Sequence, residues 1–157
     1  MNKNARLVEE GLKELERRSA EAGQPVTIQR RAALKALVRR FDHPTAEAVY
    51  ADVIAELPGV SKATVYRALD NLVQLGLARK VHHQGSVARY DGNGERHHHL
   101  ICRVCGKIED IASELLDAIP VPKLAKEKFE VHDFFVSFQG ICRDCKNAQS
   151  FVRRRSR

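Results

Sequence analysis

The sequence predicts an α+β protein with two domains. Residues 1–91 are expected to form an N-terminal winged helix-turn-helix DNA-binding domain, and residues 92–157 a small C-terminal α/β dimerisation domain with a four-cysteine structural zinc site. Three observations support this prediction. Four segments with helical spacing of apolar side chains precede two short strands, a polar Gly-rich segment follows at 91–95, and two Cys-x-x-Cys pairs lie beyond it.

The first two helices are predicted from charge pattern and capping. Residues 4–20 place a few leucines at near-helical spacing among charges, and Ala22-Gly23-Gln24-Pro25 ends that helix. Thr27 is an N-cap residue for the second helix, whose apolar side is expected to run from Ile28 to Phe41.

The third and fourth helices have clear start signals. Thr45 follows a proline and caps the third helix, with Glu47 in its first turn. Ser61 caps a fourth helix over roughly 61–75, which Gly76 ends. Its apolar face contains Val65, Leu69, Leu72 and Val73, and its opposite face Ala63, Thr64, Arg67, Asn71 and Gln74, with Tyr66 at the edge.

Two strands follow, at 77–83 and 86–90 around Gln84-Gly85. Helices followed by a two-stranded ribbon form a winged helix-turn-helix, whose fourth helix would enter the major groove of DNA with its first turns facing the bases. A helical domain with a hairpin and no role in DNA binding is the alternative.

The C-terminal part is predicted to be a small mixed domain. Strands are expected near 97–102 and 106–111, a helical stretch broken by Pro120-Val121-Pro122 at 113–128, and a strand from Phe129 to Phe138. A domain of about 60 residues buries too little apolar surface to be stable by its core alone. A structural zinc and a dimer interface usually supply the missing stability.

The four cysteines predict a structural metal site. They are Cys102, Cys105, Cys142 and Cys145. Each short pair directs two sulfurs at one ion, and four thiolates fill the tetrahedral shell of Zn(II), which leaves no position for a substrate. Two disulfides or inert thiols are the alternative, which a reducing compartment disfavours.

The histidine run 97–99 predicts a second, harder metal site. Alternate residues of a strand share a face, so His97 and His99 could chelate one ion together. Asp91 precedes them, and Asp110 ends the next predicted strand. Imidazole and carboxylate donors suit Fe(II), Mn(II) or Zn(II). Spacing alone favours a capping or surface role for His43 and a turn role for Asp91.

Composition favours a nucleic-acid partner. The chain has 27 Lys and Arg against 20 Asp and Glu, a formal net charge of +7. No stretch approaches the roughly 18 apolar residues of a membrane span, and the N-terminus lacks the apolar segment of a signal peptide. We therefore expect a cytoplasmic protein with no membrane partner. The tail 153–157 and the wing histidines His82 and His83 are expected to face solvent, with phosphate contact as the alternative.

These features together resemble the ferric uptake regulator family of metal-dependent bacterial repressors. The resemblance covers nearly the whole length. Its most specific parts are Asp42-His43-Pro44-Thr45-Ala46, the segment Ser61–Leu69 and the segment His97–Lys107.

The resemblance implies roles for individual residues. The four cysteines would bind structural zinc, and homodimers would bind a palindromic operator in double-stranded DNA when metallated. The regulatory Fe(II) or Mn(II) site would consist of His43, Asp91, His97, His99 and Asp110. Tyr66 and Arg67 match DNA-contacting positions, in a segment that also includes Ser61, Lys62, Ala63 and Thr64.

Within the family, the chain is most similar to the peroxide-sensing branch. Asp91 stands where the iron-sensing branch typically has a glutamate. In peroxide sensors, bound Fe(II) reacts with hydrogen peroxide and a ligand histidine is oxidised, which releases metal and DNA; His43 and His97 would be the vulnerable residues. Sensing of iron, zinc or manganese supply is the alternative.

A further metal site of the iron-sensing branch lacks most of its expected ligands in this chain. Arg96, His98 and Phe134 stand at those positions, and only Asp117 is a competent ligand. Whether a further site exists near Asp117 and His132 stays open at this stage.

Two other classes of function are less favoured. A hydrolytic metalloenzyme would need a separate general base, and the sequence offers no obvious one. A metal-buffering or protein-interaction module would not explain the run Ala63-Thr64-Val65-Tyr66-Arg67. The sequence therefore favours a regulator over an enzyme.

Overall fold

The computed structural model describes residues 3–81 and 87–148. The chain divides into two compact units, Met1–Gly94 and Glu95–Arg157. The first contains α1 (Lys3–Glu21), α2 (Ile28–Val38), α3 (Ala46–Glu56), α4 (Lys62–Gln74), β1 (Arg79–Val81) and β2 (Arg89–Asp91). The second contains β3 (His98–Cys102), β4 (Ile108–Ile111), α5 (Glu114–Asp117), α6 (Lys123–Lys128) and β5 (Ser137–Gly140). No helix among the described residues is both long and apolar enough to span a bilayer.

The predicted helix starts are confirmed by their caps. The side chains of Thr27, Thr45 and Ser61 each accept a hydrogen bond from the backbone N–H three residues later. Such bonds satisfy one of the N–H groups that a helix leaves without an intrahelical partner at its start. The three caps therefore set where α2, α3 and α4 begin.

The core of the first unit lies between α2, α3 and α4, with α1 packed on α2. Its largest fully buried members are Leu15, Leu34, Leu37, Val49, Val53, Val65, Leu69 and Leu72. Three of the four residues predicted for the apolar face of α4 are thus buried, and the fourth, Val73, packs against the core.

Two predictions for this unit were wrong. The apolar side predicted for α2 is too long at both ends, since Ile28, its first residue, is 66% exposed, and Phe41, in the loop that follows Val38, is 60% exposed. Asn71 was expected on the exposed face of α4, but it is buried, and its Nδ2 donates to Gln24 Oε1 at 2.6 Å. The α1–α2 connection covers this part of α4, which helical periodicity alone does not reveal.

The wing consists of β1 and β2. They pair antiparallel, with Arg79 opposite Asp91. The predicted turn at Gln84-Gly85, the wing histidines His82 and His83, and the arginine-rich tail 153–157 lie outside the described residues.

The second unit has a three-stranded sheet in the order β4-β3-β5. β3 is central and pairs antiparallel with β4 and parallel with β5. The strand predicted from Phe129 to Phe138 was too long, because residues 129–136 lie outside any strand. Phe134 and Phe135 instead lie against the imidazoles of His98 and His99, with ring centroids 6.4 and 5.9 Å apart.

Candidate metal sites and nucleic-acid interface

The ends of two neighbouring strands bring the four cysteines together. Cys102 is the last residue of β3, and Cys105 lies in the turn that follows. Cys142 comes two residues after β5, and Cys145 lies in the helical turn at 143–148. Because β3 and β5 run parallel, with Cys102 opposite Gly140, both Cys-x-x-Cys pairs lie at the same edge of the sheet. The predicted cluster is therefore formed.

The cysteine geometry fits a tetrahedral zinc ion. The four Sγ atoms lie within 4.8 Å of one another, and those of Cys105 and Cys142 are 3.7 Å apart. A zinc–sulfur distance of about 2.3 Å puts two tetrahedral sulfur ligands about 3.8 Å apart. The fold thus includes a cluster of four cysteines that fits a structural zinc site.

Backbone donors favour the thiolate form of one ligand. Hydrogen bonding from the backbone N–H groups of Cys105 and Cys142 lowers the pKa of the Cys102 thiol to about 6. Cys142 N–H donates to Cys102 Sγ at 3.3 Å. Thiol hydrogen bonds with Cys142 and Cys105 raise the pKa of Cys145 to about 12. These shifts favour a thiolate at Cys102 and a thiol at Cys145, so an ion bound by all four sulfurs would displace the proton of Cys145.

The second unit also brings together the predicted hard donors His97 and His99. Both side chains are buried, and their Nε2 atoms are 3.1 Å apart. With metal–nitrogen distances of about 2.1 Å, two ligands at a right angle around an ion are about 3.0 Å apart. Asp110, on β4 opposite His99, has its Oδ1 3.7 Å from His97 Nε2. These three side chains therefore lie close together and offer nitrogen and oxygen donors of the kind that a hard metal ion prefers.

The tautomer of His97 suits metal binding. Its Nδ1 lies 2.8 Å from the carbonyl oxygen of Glu95, which can only accept a hydrogen bond. We therefore assign the ring proton to Nδ1, which leaves the lone pair of Nε2 available for an ion. The sequence does not predict this contact, because a backbone carbonyl has no sequence signal.

The first unit holds the other predicted pair, His43 and Asp91. Both side chains are buried, and their ligand atoms lie within 4.8 Å of each other. Arg89 Nη1 donates to the carbonyl of His43 at 3.0 Å, and the N–H of Tyr90 donates to the carbonyl of Pro44 at 2.8 Å. The second wing strand is thereby fixed to the α2–α3 loop, which brings Asp91 beside His43.

The backbone of both residues is constrained. His43 has φ +49°, a left-handed conformation that is uncommon for residues other than glycine. Asp91 precedes Gly92, where an added Cβ would lie 2.7 Å from Cγ of the buried Leu37. Strained backbone often marks a functional position. His43 is buried, so the surface role that spacing favoured for it is wrong. Asp91 does make a turn contact, since its Oδ1 accepts a hydrogen bond from the N–H of Asn93 at 2.7 Å, but its side chain is buried as well.

The opposite side of β3 has a different cluster, around an arginine. The side chain of Asp117 interacts with Arg96 Nε at 2.5 Å and with His98 Nε2 at 3.3 Å. Arg96 Nη1 donates to Asp133 at 3.0 Å, and its guanidinium lies 4.6 Å from the ring centroid of Phe134. Neither metal-competent group found among residues 3–81 and 87–148 includes Asp117 or His132.

The predicted DNA-contacting residues lie at the start of α4. Ser61, Lys62, Ala63 and Arg67 are exposed, and Thr64 and Tyr66 are half-buried. The face is held by local bonds, since Ser61 and Thr64 hydroxyls are 2.9 Å apart and Arg67 donates to Thr64 at 3.4 Å. Exposed cationic, hydroxyl and phenol groups on the first turns of a helix suit contacts with phosphates and base edges.

An acidic residue contacts this face. Glu47, in the first turn of α3, forms an ion pair with Lys62 and accepts a hydrogen bond from Tyr66 Oη at 3.0 Å. In the sequence, Glu47 is recognisable only as a helix-start signal. The separation of 19 residues between Glu47 and Tyr66 left no sequence pattern that could reveal the contact.

This combination of winged helix, four-cysteine cluster and buried His/Asp pairs defines a metal-responsive winged-helix regulator. The profile of the ferric uptake regulator family matches residues 21–139. The chain therefore belongs to the ferric uptake regulator family, whose members are transcriptional regulators rather than enzymes.

Individual relatives agree with this assignment. The chain is 32% identical over 126 residues to the peroxide-responsive repressor PerR of Staphylococcus epidermidis, covering 80% of this chain and 84% of that protein. It matches the Campylobacter jejuni peroxide stress regulator with a TM-score of 0.63 and 29% identity, over 85% of this chain and 98% of that one. The Helicobacter pylori ferric uptake regulator shares the fold, with a TM-score of 0.72 and 23% identity over 88% and 93% of the two chains.

Proposed function

We propose that this protein is a cytoplasmic, homodimeric repressor whose regulatory site binds Fe(II) or Mn(II) and which senses peroxide when the bound ion is Fe(II). The regulatory ion would be held by His43, Asp91, His97, His99 and Asp110. The observation that carries the proposal is that each compact unit contains a buried pair of hard donors, one pair including an aspartate at position 91. The similarity to the peroxide-responsive repressor of S. epidermidis supports the same branch.

The two donor pairs would act as a clamp. An ion that takes ligands from both units is bound more tightly in the one arrangement in which all of them reach it. A ligand shifts such an equilibrium only by its differential affinity, and a preference of ~100-fold corresponds to about 2.7 kcal/mol. This amount suffices to convert metal binding into a change in DNA affinity.

The donor set suits the proposed signal. Imidazole and carboxylate ligands are compatible with Fe(II) and Mn(II). Bound Fe(II) would supply electrons to hydrogen peroxide, whereas Mn(II) would leave the protein unreactive. We expect an imidazole ligand, His43 or His97, to gain an oxygen atom. The modified ring would be a poorer ligand, and the clamp would open.

DNA contact would occur through α4. Its exposed first turns would enter the major groove of a palindromic operator, with Tyr66 and Arg67 nearest the bases and Ser61, Lys62, Ala63 and Thr64 beside them. Because Lys and Arg neutralise phosphates, affinity should decrease steeply with salt concentration.

The second unit would form the dimer. It exposes large apolar side chains, among them Leu115 (85%), Phe129 (72%), Leu124 (63%) and Phe138 (45%). Extended exposed apolar surface is typical of protein interfaces. β5 is also an edge strand with all four residues exposed. A second copy of this chain would cover both features.

The decisive experiment compares two metal forms. Zinc-loaded protein is reconstituted with Fe(II) or Mn(II), and binding to the duplex upstream of its own gene is measured before and after low hydrogen peroxide, with peptide masses. We expect the Fe(II) form alone to lose DNA and gain one oxygen atom on a peptide with His43 or His97. If both forms keep their DNA and mass, peroxide sensing is wrong, and the site reports iron, manganese or zinc supply instead.

A further inference from the structure

Glu47 is an acidic residue in contact with the proposed DNA-reading face, which consists of Ser61–Thr64, Tyr66 and Arg67. Its carboxylate forms an ion pair with the Lys62 ammonium, and its Oε2 also accepts the hydrogen bond from Tyr66 at 3.0 Å. The Lys62 ammonium lies 5.7 Å from the Tyr66 ring centroid, so the three side chains form one cluster. The ion pair with Lys62, followed by the hydrogen bond from Tyr66, lowers the pKa of Glu47.

The cluster is exposed to solvent, and this exposure limits its contribution to the stability of the fold. The side chains of Lys62 and Glu47 are 51% and 59% exposed. Exposed ion pairs contribute little to stability, because water and salt screen them and two long side chains lose conformational freedom. Glu47 is therefore poorly placed to stabilise the fold, but its pair with Lys62 can be exchanged for another anion at small cost.

We propose that Glu47 is a specificity-determining residue that suppresses non-specific DNA binding by α4. The inference rests on the proposed function of α4 in binding DNA. Phosphate contacts supply nearly all non-specific affinity and carry no sequence information. By neutralising Lys62 in the free protein, Glu47 removes one such contact on random DNA. On a correctly bound operator, contacts with the bases compensate for the free energy of breaking the Glu47–Lys62 ion pair.

Tyr66 gives the cluster a second effect. Its hydroxyl is oriented by Glu47 in the free protein, at the edge of the face that would meet the bases. A carboxylate beside this face would also repel phosphates and could accept a hydrogen bond from the amino group of cytosine. Glu47 thus disfavours a misplaced DNA phosphate backbone more strongly than it disfavours a correctly placed base pair.

The test uses Glu47→Gln and a matched control, Glu56→Gln. Glu56 ends the same helix and forms an ion pair with Lys35 at 2.9 Å and a longer one with Arg39 at 3.9 Å, so both variants remove one negative charge and the partner of a lysine. Full-length protein loaded with zinc and Mn(II) is titrated with a random-sequence duplex and with the duplex upstream of its own gene, over a range of salt concentrations.

We expect Glu47→Gln to raise affinity for the random duplex by about two- to fivefold, the range of an exposed ion pair. The slope of log affinity against log salt should steepen by about 0.9, as for one more phosphate contact. Affinity for the upstream duplex should rise less. Adding Lys62→Gln to Glu47→Gln should remove the gain.

Three outcomes would overturn the inference. Equal effects of Glu47→Gln and Glu56→Gln would assign the change to net charge alone. Unchanged binding of the random duplex would mean that Glu47 does not oppose phosphate contact. If the wild type binds neither duplex at low salt, the proposed function fails as well, and this outcome is separable because it appears without any substitution.

Discussion

The guanidinium of Arg18 donates a hydrogen bond to the main-chain carbonyl of Gly76 at 2.9 Å. The same nitrogen donates to the carbonyl of Leu75, the C-cap residue of α4, at 2.9 Å. A cation thus lies at the negative end of the proposed recognition helix and satisfies carbonyls that the helix leaves free. Arg18 belongs to α1, all but the last residue of which precedes the family-matched segment 21–139. The N-terminal helix therefore supports α4 from its far end.

Substitution of Arg18 by alanine should destabilise the first unit. The loss of two charge-assisted hydrogen bonds to carbonyls at a partly buried position should cost roughly 1–2 kcal/mol. Urea unfolding of the zinc-loaded protein measures this. Arg17→Ala is the matched control, because the Arg17 guanidinium bonds to the carboxylates of Glu14, which Arg18 also contacts, and Glu21 rather than to the carbonyls at the end of α4. An equal loss in both variants would contradict a capping role for Arg18.

Replacement of His43 should separate metal response from folding. We expect His43→Ala to abolish metal-dependent DNA binding while zinc content and the dimer remain intact. Asparagine tolerates the left-handed backbone of His43 better than alanine does, so His43→Asn should give the same result with less strain. The exposed His132 provides the control His132→Asn. Loss of zinc or of the dimer in both His43 variants would refute this division of roles.

Removal of one zinc ligand should affect the C-terminal unit as a whole. Cys102→Ser leaves three thiolates for a tetrahedral site. The segments that follow β3 and β5 would then be held together less firmly by the metal ion. We expect loss of bound zinc together with unfolding or dissociation to monomers. Zinc analysis with analytical ultracentrifugation checks both. A stable, zinc-free dimer would show that the metal does not support this fold.

The pH dependence of zinc binding should change slope near pH 6. The folded pKa of Cys102, about 6, is below its ordinary value of 9.0, so this thiol is already ionised at neutral pH and releases no proton there. Below pH 6 zinc must displace that proton as well, so the fall in log affinity should steepen by about one proton per ion. Competition with a chromophoric chelator between pH 8 and 5 tests this. A constant slope through pH 6 would contradict the assigned thiolate.

An alanine at Gly92 should displace Asp91, the neighbouring residue that we propose as a ligand of the regulatory site. The added Cβ would lie 2.7 Å from Cγ of Leu37, a fully buried core residue, and 3.4 Å from its backbone carbon. Such overpacking costs typically 1–3 kcal/mol. We expect lower stability and weaker Mn(II) binding, measured by unfolding and by metal titration. Gly94→Ala is the control, since nothing lies within 4 Å of its Cβ position.

Local signals in the sequence predicted much of the fold. Thr27, Thr45 and Ser61 cap helices where expected, because a hydroxyl that precedes an apolar periodic segment satisfies the first backbone N–H groups without help from distant residues. The Cys-x-x-Cys pairs likewise predict a metal site from their short spacing alone. The alternation of His97 and His99 on one side of β3 follows from the two-residue period of a strand.

Long-range packing decided the features that the sequence did not reveal. Asn71 is buried because the α1–α2 connection covers it, and residues 129–136 lie outside any strand because their phenylalanines pack against histidine rings. The contacts of Arg18 with Gly76 and of Glu47 with Lys62 join residues distant in sequence.

The sequence by itself thus determined the helices, the cysteine pairs and the chemistry of the donors proposed for the regulatory site, since these depend on residue type and short spacing. Only the tertiary structure decided that His43 and Asp91 are buried side by side, that Glu95 fixes the tautomer of His97, and that an acidic residue pairs with the proposed DNA-reading face. The physical reason is that each of these depends on where separate segments of the chain meet, and short-range periodicity does not specify such meetings.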